Sequence, residues 1–274
     1  MHRFMRKVFL ILVFVIAAFA GRAQLELGAF GGGSFYMGDL NPKYPFLQTS
    51  FAYGFVARYN LSSRWTVKLN GLKGKLIGDD NKSNFLPERG LRFDADLYEF
   101  SAVMEFNFLR YFTGSLKNFI SPYLFGGAGF FYDRPMNNGQ DLRDMHTEGQ
   151  GTTFDDNGTR KEYSYFHFSI PFGFGLKYSV SKKIALSVEW GMRKTFTDYV
   201  DDVSTTYYLS SSTVKPGDPN YPYLVASDPG LNHEPYQQRG NSETNDWYSF
   251  AGFTITYNID LTKRNTCSDF ERNK

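Results

Sequence analysis

Connections in this chain are sorted by length, and that sorting restricts the fold more than any single motif does. Beyond residue 23, eight segments read as strands, at roughly 25–37, 49–60, 64–77, 95–112, 119–132, 163–180, 182–194 and 247–261. The connections after the second, fourth and sixth are tiny: Leu61-Ser62-Ser63, Thr113 to Asn118, and the stretch from Ser179 to Lys183. Those after the first, third, fifth and seventh are long, the last running from about Thr195 to Asp246. An even number of antiparallel strands, with short turns at one end and long loops at the other, predicts an all-β fold. It is the plan of an eight-stranded antiparallel transmembrane β-barrel with short periplasmic turns and long extracellular loops. A soluble sandwich has no reason to sort its loops this way.

A barrel strand must alternate between lipid and lumen. The segment 182–194 places Ile184, Leu186, Val188, Trp190 and Met192 on one face, and Ala185, Ser187, Glu189, Gly191 and Arg193 on the other. In 95–112, Tyr98, Phe100, Ala102, Met104, Phe106 and Phe108 oppose Glu99, Ser101, Glu105 and Asn107. The same code holds for 49–60, 163–180 and 247–261 and is weaker in the first, third and fifth segments. Charged side chains facing hydrocarbon cost roughly 2–4 kcal/mol at mid-depth, so the polar face must point inward. Eight strands enclose only enough room for side chains. Glu99, Glu105 and Glu189 are therefore expected to meet Arg58, Lys68, Lys177 and Arg193 in an internal ion-pair network, which argues against an open pore. Trp65, Trp190 and Trp247, with Tyr59, Tyr111 and Tyr257, are candidates for interfacial belts. Lys73 and Lys75 suggest that the third segment leaves the membrane near Leu72, and Pro171 predicts a bulge.

Mean hydropathy of −0.40 does not conflict with a membrane location, because only alternate residues of a barrel strand meet lipid. The formal net charge of +2 gives no argument for nucleic acid, and no such partner is expected. Arg3, Arg6 and Lys7, the apolar stretch Val8 to Ala20 and the small-x-small Gly21-Arg22-Ala23 read as a secretory signal. The expected organisation is a cleaved signal at 1–23, a barrel at 24–262 and a periplasmic tail at 263–274. Both chain ends then lie in the periplasm. Cys267 is the only cysteine, so an internal disulfide is excluded and a free thiol or a bond to another chain remains.

Catalytic chemistry finds little support. His167 and Ser169 stand two apart on one strand face and read as packing polar residues in a filled lumen. Histidine 146 and Glu148 lack the second ligand pair a metal site needs. The acidic run Asp198-Tyr199-Val200-Asp201-Asp202-Val203-Ser204 has the composition for calcium, but reads better as a solvated loop start bonded to its own backbone. Gly31-Gly32-Gly33 and Gly126-Gly127-Ala128-Gly129 lack the following helix and Lys-Ser/Thr of a phosphate loop. No catalytic, cofactor or metal site is expected.

Five stretches carry a resemblance. They are Gly28-Ala29-Phe30-Gly31-Gly32-Gly33-Ser34-Phe35-Tyr36-Met37-Gly38-Asp39-Leu40-Asn41-Pro42, Glu105-Phe106-Asn107-Phe108, and Ser121-Pro122-Tyr123-Leu124-Phe125-Gly126, with Thr147-Glu148-Gly149-Gln150-Gly151 and Asp198 through Thr205. Together they resemble the PorG family, outer-membrane barrel components of the type IX protein secretion system. The resemblance implies a non-enzymatic protein of the cell outer membrane. It implies association with a periplasmic ring of a PorK-like lipoprotein and its PorN-like partner, in machinery that in some bacteria also supports gliding motility. In the tail, Cys267 and Phe270 are the expected partner contacts, Cys267 being able to link the ring covalently. The competing expectation is a small barrel acting as adhesin or receptor through its extracellular loops.

Overall fold

The computed structural model describes residues 24–152 and 160–259. Eight long strands form: β1 (Gln24–Met37), β2 (Ser50–Asn60), β3 (Trp65–Asp79), β4 (Arg92–Asn107), β5 (Ile120–Asn137), β6 (Phe166–Ser179), β7 (Ile184–Thr195) and β8 (Trp247–Ile259). Each pairs antiparallel with the next. The sheet closes through β8 on β1, from Leu25↔Ile259 to Met37↔Trp247. Closure leaves no strand edge, which is what a sheet in hydrocarbon requires. Two short helices, α1 (Asp80–Ser83) and α2 (Tyr221–Ser227), lie in loops, and a two-residue strand at Gln140–Asp141 pairs with the end of β5.

The barrel is apolar outside and ionic inside. Phe51, Phe55 and Phe253 are 73, 79 and 71 % exposed, whereas Lys68 and Glu105 are 0 % exposed. Water would drive the opposite arrangement, so lipid is the solvent for this wall. Tyr98 and Tyr132, with ring centroids 6.4 Å apart, mark its extracellular edge on β4 and β5, and the Lys73 ammonium sits 4.9 Å from the Tyr98 ring centre. Beyond them the outer face turns polar: Lys73 pairs with Asp96 at 3.8 Å and Lys75 with Asp94 at 2.7 Å.

Several expectations are corrected. The third and fifth strands run further than expected, to Asp79 and Asn137, because β4 begins earlier, at Arg92, and pairs with both beyond the lipid band, through Gly78↔Phe93 and Asp94↔Met136. The fourth strand stops at Asn107, not near 112, and the chain then turns beneath the barrel. Pro171 makes no bulge. Gly126↔Phe172 and Gly129↔Ser169 share one register, and Pro171 stays opposite Arg193; pairing simply lapses beside the ring that has no N–H. Trp190, on the outer face of β7, is flanked by Phe174 at 5.6 Å and by Phe46, from the first loop, at 5.7 Å. Tyr111 is no belt residue, being buried.

Candidate functional site

Three layers of polar contacts seal the cylinder. The first crosses the lumen. Glu105 on β4 meets Lys177 of β6 at 2.5 Å, with Arg58 of β2 and Lys68 of β3 each at 3.3 Å. Glu189 on β7 receives Lys68 at 2.8 Å, Arg58 at 3.6 Å and the Tyr123 hydroxyl at 2.6 Å. Arg193 of β7 reaches Glu99 of β4 at 2.9 Å, and Tyr248 donates to the same carboxylate. Adding Glu26, four carboxylates balance four cations, all buried. Apart from Glu26, which the sequence reading did not include, these are the charges the alternation predicts. Its bonds join opposite walls, and Gly191 keeps the room they need: a Cβ there would sit 2.5 Å from the Phe125 ring.

The second layer closes the extracellular mouth. Glu148, fully buried in the loop after β5, accepts the amides of Ser204 (2.8 Å) and Thr205 (2.9 Å), the Thr205 hydroxyl (2.6 Å) and the Arg239 guanidinium (3.1 Å). Asp202 accepts from Tyr163 at 2.7 Å, from Gln150 at 3.4 Å and from Thr147. Arg89, in the loop after β3, pairs with Asp80 at 2.6 Å and donates to the carbonyls of Asp39 and Arg239. Tyr36, at the top of β1, donates to Asp201 and lies 3.3 Å from Asp246. All four long loops are thus tied into one cap.

Acid groups outnumber cations there, and burial governs their titration. Burial lifts Asp202 to about 7 against the opposing pull of Arg239. Burial likewise lifts Asp198 to about 8, with smaller contributions from Asp39 and Glu148. Asp201 and Asp246 are held well above the usual carboxylate range, by burial and then by neighbouring carboxylates. A folded pKa above the unfolded value means that the closed cap is favoured at low pH and loses that contribution as pH rises through the folded value. We expect hydrogen exchange of the Val200 and Val203 amides, which donate to Asp246 and Asp201, to accelerate relative to the β8 ladder as pH rises from about 4, the unfolded carboxyl value, to about 8. A flat ratio over that range contradicts this assignment.

The third layer closes the periplasmic mouth. The segment 108–119 between β4 and β5 swings across to β1, where the Thr113 hydroxyl donates to Glu26 at 2.6 Å. Tyr111, 3 % exposed, lies under the lumen, and its amide donates to Ser63 in the turn between β2 and β3.

Of the residues singled out by sequence, Cys267 and Phe270 lie outside the described residues, as does the signal segment. His167 and Ser169 face the lumen together, but His167 Nε2 is 3.8 Å from Asp133, too long for a hydrogen bond, and Ser169 is fully buried. Glu148 is engaged by the cap and His146 Nδ1 by the Gln150 carbonyl at 2.5 Å, so the two do not converge on a metal. Among the described residues no group of three or more His, Cys, Asp or Glu is arranged to hold one. The acidic run after β7 is not solvated as expected: Asp201 and Asp202 are 1 % and 0 % exposed. Its own-backbone bond exists, Val203 N–H to Asp201 at 2.9 Å, but the cap supplies the remaining partners.

Three solved bacterial proteins bear a distant likeness to the structure. The N-terminal β-barrel domain of Pseudomonas aeruginosa OprF shares 14 % identity over 86 % of this chain and 97 % of its own, with a TM-score of 0.37. Neisserial surface protein A shares 12 % over 87 % and 99 %, at 0.40. Ail, the attachment invasion locus protein of Yersinia pestis, shares 10 % over 86 % and 97 %, at 0.39. The fold therefore stands on the closed ladder itself. No curated protein matches the chain. Residues 6–215 match the family described as Domain of unknown function (DUF6089), and the chain belongs to that family.

Proposed function

We propose that the protein is a non-enzymatic component of the cell outer membrane that anchors a periplasmic ring of the type IX secretion apparatus, with PorK-like and PorN-like proteins as its partners. The observation that carries this reading is the triple seal. A lumen bridged by ion pairs and covered at both mouths offers no conduit, which leaves the two end surfaces for function. The resemblance to PorG supplies the partner, and the short-turn end faces it. In this reading Cys267 and Phe270 extend the periplasmic contact. Deleting 263–274, or replacing Cys267→Ser, is expected to reduce recovery of the ring proteins with the purified barrel. Unchanged recovery after both removes the tail as a docking element.

A second reading has its own observation. Tyr44, Leu86 and Tyr236 are exposed on the ordered cap, as an adhesin or receptor surface requires. Trimming 195–246 separates the two: loss of cell-surface binding with secretion intact favours the adhesin, and the converse favours the anchor.

A further inference from the structure

The three periplasmic turns carry five cations and no acid. Arg64 follows the first turn, Arg110 and Lys117 lie in the second, and Lys182 and Lys183 in the third; neither Asp nor Glu occurs in 61–64, 108–119 or 180–183. All five cations are exposed. Between them Leu116 is 96 % exposed, the most exposed large apolar side chain described.

These turns are braced into one plate. The Tyr111 amide donates to Ser63 O at 3.0 Å, joining the second turn to the first. The Gly114 amide donates to Ser179 Oγ at 2.8 Å, joining it to the third. Gly114 has φ +90°, and a Cβ there would stand 2.7 Å from the Lys182 carbonyl, so the contact requires glycine. Within the turn, Ser115 N–H bonds Phe112 O at 3.1 Å and Asn118 N–H bonds Ser115 Oγ at 3.0 Å, which fixes Leu116 and Lys117 at the tip. Rigid, ordered loops lose little entropy on binding, which is what a docking surface needs.

Position decides what this plate meets. Arg64 and Lys183 lie at strand ends on the rim, within reach of lipid phosphates, whereas Lys182 lies against Gly114 of the crossing segment. The tip is different: its segment crosses the mouth from β4 to Glu26 of β1, on the far wall, so Leu116 and Lys117 stand off the rim and face the periplasm. An exposed apolar side chain next to Lys117, on a face whose turns carry only positive charge, fits a surface with the opposite charge and an apolar notch.

We propose that the plate formed by the three turns is the docking face for an acidic periplasmic protein, with Leu116 as its apolar anchor and Arg110, Lys117 and Lys182 supplying complementary charge. This rests on the periplasmic end being the partner-binding end, but it assigns the contact to the turns rather than to the tail. A photo-crosslinking amino acid at position 116, activated in living cells, tests it. The expected adduct is a protein whose crosslinked segment is rich in Asp and Glu, in yield reduced at least about tenfold by Lys117→Glu with Lys182→Glu. Both substitutions are at exposed sites, and heat-modifiable mobility of the folded barrel verifies that the variant is intact. Adducts only to lipid, to residues 263–274, to a second copy of this chain, or none at all, overturn the proposal, as does a yield indifferent to charge reversal. An acidic protein other than a ring component sustains the plate and refutes the ring reading. Ring proteins that co-purify without any adduct at 116 do the reverse.

Discussion

Replacing Glu105→Ala is expected to destabilise the barrel by about 3–5 kcal/mol, the usual cost of stripping one partner from a buried ion pair. The reason is the number of buried charges that converge on Glu105. Lys177, Arg58 and Lys68 lie 2.5, 3.3 and 3.3 Å from its carboxylate, and every one is essentially unexposed. Arg58 and Lys68 retain Glu189 after the substitution; Lys177 retains no carboxylate within ion-pair distance among the described residues. Urea unfolding in lipid vesicles, followed by tryptophan emission and heat-modifiable mobility, measures the effect. The double variant Glu105→Ala, Lys177→Met should recover part of the loss, because it removes the stranded charge together with its partner. A loss below about 1 kcal/mol for the single variant would mean that water enters the lumen and screens the three cations.

Removing Glu148 should open the cap and leave the cylinder standing. Its carboxylate receives two backbone amides, a hydroxyl and the Arg239 guanidinium, and those donors come from the long loop after β7 while Glu148 itself lies in the loop after β5. Glu148→Ala leaves Arg239 with Asp202 at 3.6 Å as its remaining carboxylate. At the usual cost of breaking a buried pair, the Ser204 and Thr205 amides should exchange about a hundredfold faster, or more. The β8 ladder, held by pairing on both sides, should not change. Proteolysis within 196–246 on intact cells provides a second readout. Unaltered protection at 204 and 205 would show that the cap is held by its other bonds, chiefly Arg89 to the Asp39 and Arg239 carbonyls and Tyr36 to Asp201.

The lumen network was legible because period-two alternation leaves no choice. Once Val188 and Phe100 face lipid, Glu189 and Glu99 must face inward, and a filled eight-stranded lumen gives them nothing but each other's counter-ions to meet. The cap was less legible. A signal existed: β7, β8 and β1 are neighbours in a closed sheet, so Asp198 to Asp202, Asp246 and Asp39, at their extracellular ends, have to converge. Reading each loop alone hid this, and the acidic run then looked solvated. Tyr111 shows the same limit. Its composition suits an interfacial belt, yet it serves as a floor because the chain leaves the wall after Asn107 and crosses the mouth.

Sequence by itself determined the strand number, which side chains face lipid, and which charges share the lumen, since each follows from local alternation and the ordering of short and long connections. Only the tertiary structure decided how the loops close the two mouths, that Glu148 and Asp202 are buried, and that five cations and Leu116 share one braced surface. Those arrangements depend on hydrogen bonds between residues far apart in the chain. No local pattern encodes which distant amide a buried carboxylate will accept.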